Sequence, residues 1–66
     1  MNVAETLKAS RKRLRITQEQ LAEISGVSRN TIGVYETGRR SPSVETMETL
    51  LNAMGLELRV GRRLKK

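Results

Sequence analysis

Residues Thr17 to Gly38, TQEQLAEISGVSRNTIGVYETG, decide how this chain folds. They read as two short helices, Thr17 to Ser25 and Ser28 to Thr37, joined by a tight turn at Gly26–Val27. Thr17 and Gln20 stand at capping-box spacing, so the Thr hydroxyl takes an orphan N–H and the Gln side chain reaches back. Ile16 before that cap is placed to pack on Leu21 as a hydrophobic staple. Ser28 caps the second helix, with Val27 and Ile32 in the same stapled relation. Gly26 and Gly38 sit where each helix ends and the backbone needs a left-handed residue, which Gly adopts without a Cβ clash.

Apolar spacing then predicts which faces meet. Leu21, Ile24, Val27, Ile32 and Tyr35 are expected to share a core, with Ala22 small enough for a close helix crossing. One face of the second helix is left out of it: Arg29, Asn30, Thr31, Gly33, Val34 and Thr37. Forked and amide donors near a helix N-terminus suit the reading of base edges in a DNA major groove. An Arg29 fork on guanine, or an Asn30 amide on adenine, discriminates by roughly 1–3 kcal/mol. Val34 and the Thr31 methyl can meet a thymine methyl. Arg29, Asn30, Thr31 and Val34 are therefore the candidate base-contacting residues; the competing reading is a plain solvated face.

The segment resembles the helix-turn-helix of the Cro/phage-repressor (XRE-like) family of DNA-binding domains. The matching residues are Thr17-Gln18, Leu21-Ala22, Gly26-Val27-Ser28, Ile32, Glu36 and Gly38, and Pro42, and the likeness extends over about residues 3 to 56. It implies four helices plus an extension, or five helices, with the Ser28 helix as recognition helix. Ser25 departs from the larger apolar residue often found there, leaving the core under the turn less full.

Upstream, a first helix is expected from Asn2 to about Leu14, with Asn2 and Glu5 at box spacing. Val3, Leu7 and Leu14 fall on one stripe, and Arg11 shares it. An Arg on an apolar face is costly unless paired. The family resemblance implies the partner: Glu36, in a partly buried ion pair tying the first helix to the recognition helix. Gln18 opens the next helix, where side chain and helix N-terminus both offer donors to an anion. By the same resemblance it contacts a DNA phosphate. Arg39 and Arg40, in the loop to Pro42, are well placed for phosphate too, a sequence-independent term that makes binding salt-dependent. Ser28 and Thr37 complete the candidate phosphate set.

A fourth helix follows, capped by Ser43 and running to about Met54. Val44, Met47, Leu50, Leu51 and Met54 form its stripe, with Gly55 and Leu56 as a Schellman-type end. The period then changes: Leu56, Leu58 and Val60 alternate with Glu57, Arg59 and Gly61, which is strand spacing. A lone strand needs a partner edge. The simplest source is a second copy of the chain, giving a homodimer about a two-fold axis; a fifth helix or a free tail are the alternatives. The ending resembles the antitoxin of HipAB-type toxin–antitoxin pairs, which implies a toxin partner, a HipA-like kinase, as a rival reading.

Composition narrows the rest. Sixty-six residues allow one small domain with a marginal core. The chain has no Cys, His or Asp. That removes thiolate and imidazole metal ligands and the usual general bases, so neither enzyme activity nor a cofactor, metal or small-molecule ligand is expected. No apolar run reaches the roughly 20 residues a membrane span needs, nor is there a signal-peptide pattern, so a cytoplasmic protein is expected. Net charge is +6, but five of the basic residues lie from Arg59 onward without an acidic one. Most of the excess is thus a tail and does not itself locate a DNA surface. The expectation is an all-α, four-helix repressor-type domain over 1–55, a short dimerisation β-strand over 56–61, and a basic tail over 62–66. Its partner is double-stranded DNA.

Overall fold

The computed structural model describes residues 2–56, and these form four helices. They are α1 (Val3–Arg13), α2 (Gln18–Ser25), α3 (Arg29–Thr37) and α4 (Val44–Ala53). Each begins on a side-chain cap. Asn2, Thr17, Ser28 and Ser43 have extended backbones, and each side-chain oxygen accepts the N–H three residues on, at 3.0–3.1 Å. At Thr17 the box is reciprocal, because its own N–H donates to Gln20 Oε1 at 2.8 Å. Gly26 (φ +82°) and Gly38 (φ +84°) end α2 and α3 in the left-handed region. Between α2 and α3 the Ser25 hydroxyl accepts the Val27 N–H at 3.1 Å, so this residue supports the turn rather than filling the core.

Every helix supplies one fully buried side chain or more: Leu7, Leu21, Ile32 and Leu50. Met47, Leu51 and Met54 complete the buried cluster, against which Val3, Ile16, Ala22, Val27 and Tyr35 pack. α3 packs on α1 and α2, and α4 closes the other side of α2. The core therefore lies behind α3, leaving its opposite face outward.

Three apolar positions depart from the expected stripes. Ile24 is 55% exposed. The inward face of α2 is centred between Leu21 and Ala22, with Gln18 and Ser25 half-buried upon it, and at 100° per residue Ile24 lies roughly 110° away. Val44 is 67% exposed because it opens α4, before the buried turn at Met47. Leu14 is 45% exposed: it is the cap residue beyond the last turn of α1, and Ile16 comes back onto the core instead.

That return at Ile16 is a Schellman closure. The Arg15 N–H donates to the Lys12 carbonyl at 2.9 Å and the Ile16 N–H to the Arg11 carbonyl at 3.3 Å. Gly55 and Leu56 close α4 the same way, at 2.9 and 2.7 Å, and Gly55 has φ +77°. At the end of α1 the left-handed residue is Arg15, with φ +60°. Sequence gave no sign of it, since Arg is a poor occupant of that region. Of the expected strand only Leu56 is described, exposed just after α4; Leu58 and Val60 lie outside the described residues. Relieving the left-handed Arg should stabilise the domain: Arg15→Gly is expected to gain about 1 kcal/mol. Thermal denaturation should show it as a Tm rise of about 4–8 °C, and an unchanged or lower Tm would contradict it.

Candidate nucleic-acid interface

What holds α3 in place determines what it can present. Ile32 and Glu36, one turn apart, are its two buried side chains. Glu36 meets Arg11 of α1 in a fork: Arg11 Nε donates to Oε2 at 2.8 Å and Nη2 to Oε1 at 3.0 Å. The third guanidinium nitrogen, Nη1, donates to the Ile16 carbonyl at 2.8 Å. Gln18 Nε2 adds a further donor to Glu36 Oε1, at 3.0 Å. The side chains of Arg11 and Glu36 are only 11% and 3% exposed.

Electrostatics follow from that geometry. Burial pushes the Glu36 carboxyl up, but hydrogen bonds from Arg11 and Gln18 outweigh it, helped by the charges of Arg11 and Lys8. The net result is a carboxyl held below its ordinary value, and therefore ionised at neutral pH. The Glu36 hydrogen bond raises the Arg11 guanidinium against the opposing effect of its own burial.

On the outward side, Arg29 and Asn30 are exposed in the first turn of α3, and Thr31 and Val34 are half-buried. At 100° per residue Asn30, Thr31 and Val34 lie on the side of α3 away from the buried Ile32 and Glu36, whereas Arg29 shares the angle of that buried pair and is exposed because it opens the helix. The candidate phosphate residues divide by whether their donors are free. Ser28 Oγ donates to Thr31 Oγ1 at 2.8 Å and accepts the Thr31 N–H, so its one O–H is engaged in the cap. Thr37 Oγ1 donates to the Val34 carbonyl at 2.8 Å. Gln18 has one amide hydrogen on Glu36 and one left. Arg39 and Arg40 are exposed, with no ion pair among the described residues.

From sequence Arg13 and Arg15 could serve at the flank of a bound duplex; the structure joins Arg15, but not Arg13, to a further basic surface. Lys12, Arg15 and Arg29 line one open concavity with Thr17, Gln18 and Glu19, where the end of α1 and the start of α2 meet the start of α3. Only the left-handed turn at Arg15 brings that residue there. The Gln18–Glu36 bond was unsignalled, being a contact across 18 positions. Among the described residues, no cluster of His, Cys, Asp or Glu could hold a metal ion. Nor is any helix there long and apolar enough to cross a membrane.

Two capped helices about a left-handed glycine, the second fixed by a buried ion pair and turned outward, define a helix-turn-helix domain. The chain belongs to the helix-turn-helix family, which it matches over residues 7–60. It is 38% identical over 58 residues to the immunity repressor protein of Bacillus phage phi105, covering 88% of this chain and 40% of that protein. An uncharacterized HTH-type transcriptional regulator of Methanothermobacter thermautotrophicus is 45% identical over 51 residues, with 77% and 74% covered. YqaE of Bacillus subtilis, an uncharacterized HTH-type transcriptional regulator, is 33% identical over 55 residues, with 83% and 47% covered. The chain thus spans less than half the length of two of these three relatives.

The ion pair makes a stability prediction with a defined sign. A carboxyl lowered by folding stabilises the native state above its unfolded pKa, near 4.5, and loses that effect as pH falls through the folded value. Stability should therefore hold from neutral pH to about pH 5 and decline below it. Glu36→Gln should cost about 3–5 kcal/mol at pH 7, leaving Arg11 buried without a counter-charge. In a domain of this size, with roughly 3–10 kcal/mol in all, that is most of its stability. The variant's acid limb should also be flatter. Urea denaturation of both proteins between pH 7 and pH 3 tests it; parallel curves separated by under 1 kcal/mol would count against a stabilising pair.

Proposed function

We propose that this chain is a sequence-specific double-stranded DNA-binding regulator, acting as a homodimeric repressor on an operator with approximate two-fold symmetry. The observation that carries the proposal is α3 itself: locked from behind by Ile32 and by Arg11–Glu36–Gln18, it offers Arg29, Asn30, Thr31 and Val34 outward. Arg29 and Asn30 read purine edges, and Val34 with the Thr31 methyl meets thymine methyl groups. Arg39 and Arg40 hold the backbone phosphates from the loop after α3. Gln18 contributes its remaining amide hydrogen, and Ser28 and Thr37 contribute by exchanging their internal partners for phosphate oxygens. The printed names of the relatives, a repressor and two transcriptional regulators, support regulation as the output. They lend nothing to the alternative of an antitoxin holding a kinase-like toxin.

Two copies place their α3 helices in successive major grooves about 34 Å apart. Leu56, exposed at the end of α4, opens the segment through Leu58 and Val60 that joins them as paired strands. The setting is the cytoplasm, where no membrane or small ligand is required.

Selection from a random duplex pool at a stated salt concentration tests the whole reading, which an unenriched pool would end. Arg29→Ala should cost roughly 1–3 kcal/mol at one operator position and relax its base preference. Arg39→Ala should weaken all sequences alike and lower the salt slope by about one. Identical uniform losses for both would refute the division into readers and positioners. Leu58→Glu should leave a folded monomer by sedimentation; a persisting dimer would remove the strand from the interface.

A further inference from the structure

Gly33 occupies the interior of α3, where Gly is the least favourable residue short of Pro. Its backbone φ is not left-handed, so no turn requires it. Packing does not require it either. A Cβ built there would meet, among the described residues, only Gln18 Oε1 at 3.8 Å, an ordinary van der Waals contact. The described residues thus leave room for a methyl group at this position, and nothing among them requires glycine there. At 100° per residue Gly33, itself half-buried, lies at the edge of the outward stripe Asn30, Val34, Thr37, as a notch one methyl deep.

We propose, resting on the DNA-binding reading above, that this notch receives the C5-methyl group of one thymine of the operator. The chemistry of its rim selects the occupant. Glu36 is an ionised acceptor, so Gln18 must turn its N–H toward Glu36 and its carbonyl oxygen toward Gly33. That oxygen repels phosphate oxygens and the acceptor edges of guanine and of thymine O4. The interior amides of α3 are engaged in helix hydrogen bonding, so the notch holds no donor for them. Its floor is bare Cα, and Val34 follows it on the outward face. A methyl group fits in both size and polarity.

The experiment is a steric exchange between protein and DNA, using the operator that the wild-type chain selects. Gly33→Ala should raise Tm by several degrees while weakening operator binding about tenfold or more. Replacing thymine by uracil, one position at a time, should weaken wild-type binding roughly fourfold at one position. At that same position uracil should restore Gly33→Ala binding to near the wild-type level, because the alanine methyl replaces the one removed from the base. Undiminished binding by Gly33→Ala overturns the proposal. So does a loss that no uracil recovers, which would indicate a sugar, phosphate or base-amino contact at Gly33. A wild-type chain that selects no sequence would defeat the DNA-binding reading itself, and the notch with it; a selected operator without recovery defeats the notch alone.

Discussion

The Arg11–Glu36 fork is the contact on which the placing of α3 depends. One guanidinium reaches two elements at once, pairing with the carboxylate of α3 and bonding the Ile16 carbonyl where the chain returns from α1. Gln18 brings the start of α2 to the same carboxylate. Three helices and one turn thus converge on a pair of charges almost free of solvent. A lysine could not replace the arginine, because an ammonium is a point donor and cannot satisfy two carboxylate oxygens and a carbonyl in fixed directions. Burial of the two charges is costly alone, and good geometry with every acceptor served is what offsets it. With seven buried apolar side chains among the described residues, the core offers little else there to set the angle of α3.

Anchoring α3 from behind also settles what its front costs to use. The cap hydroxyl of Ser28 is tied to Thr31, and Thr37 is tied to Val34. These bonds keep the first and last turns of the helix ordered until the two hydroxyls are exchanged to a partner's oxygens. A surface ordered in advance loses less freedom on binding, so more of the contact energy remains as affinity. The long exposed side chains Arg29, Arg39 and Arg40 are the ones left to be ordered.

Sequence reading was strongest where a residue's role is local. Caps at Asn2, Thr17, Ser28 and Ser43 and left-handed glycines at 26, 38 and 55 were legible because each depends on neighbours within a few positions. Stripes were legible in part. Leu7, Leu21, Ile32 and Leu50 are buried, whereas Leu14, Ile24 and Val44 are exposed. Helical spacing gives a residue's angle, but the neighbouring helices decide which angle and which turns are covered. Of the side-chain contacts across long separations, Arg11–Glu36 was reached only through the family resemblance and not through spacing. Nothing near Gln18 marks Glu36 as its partner, and nothing near Arg15 marks the left-handed turn that sets it beside Lys12 and Arg29.

Placement of charge, rather than its total, then gives the interface its polarity. Residues 1–58 hold eight basic and seven acidic side chains, nearly balanced. The balance is uneven in space, because Glu36 is buried and neutralised by Arg11. Lys12, Arg15 and Arg29 gather at the N-terminal end of α3, and Arg39 and Arg40 follow its C-terminal end. On the proposed reading, positive charge brackets the reading helix at both ends, where phosphates flank a groove. Such a bracket orients the helix before any base is read. On the same reading the five basic residues from Arg59 onward would add a sequence-independent attraction for a polyanion. On that reading discrimination rests with the few side chains between the brackets, where a methyl added at Gly33 would be felt.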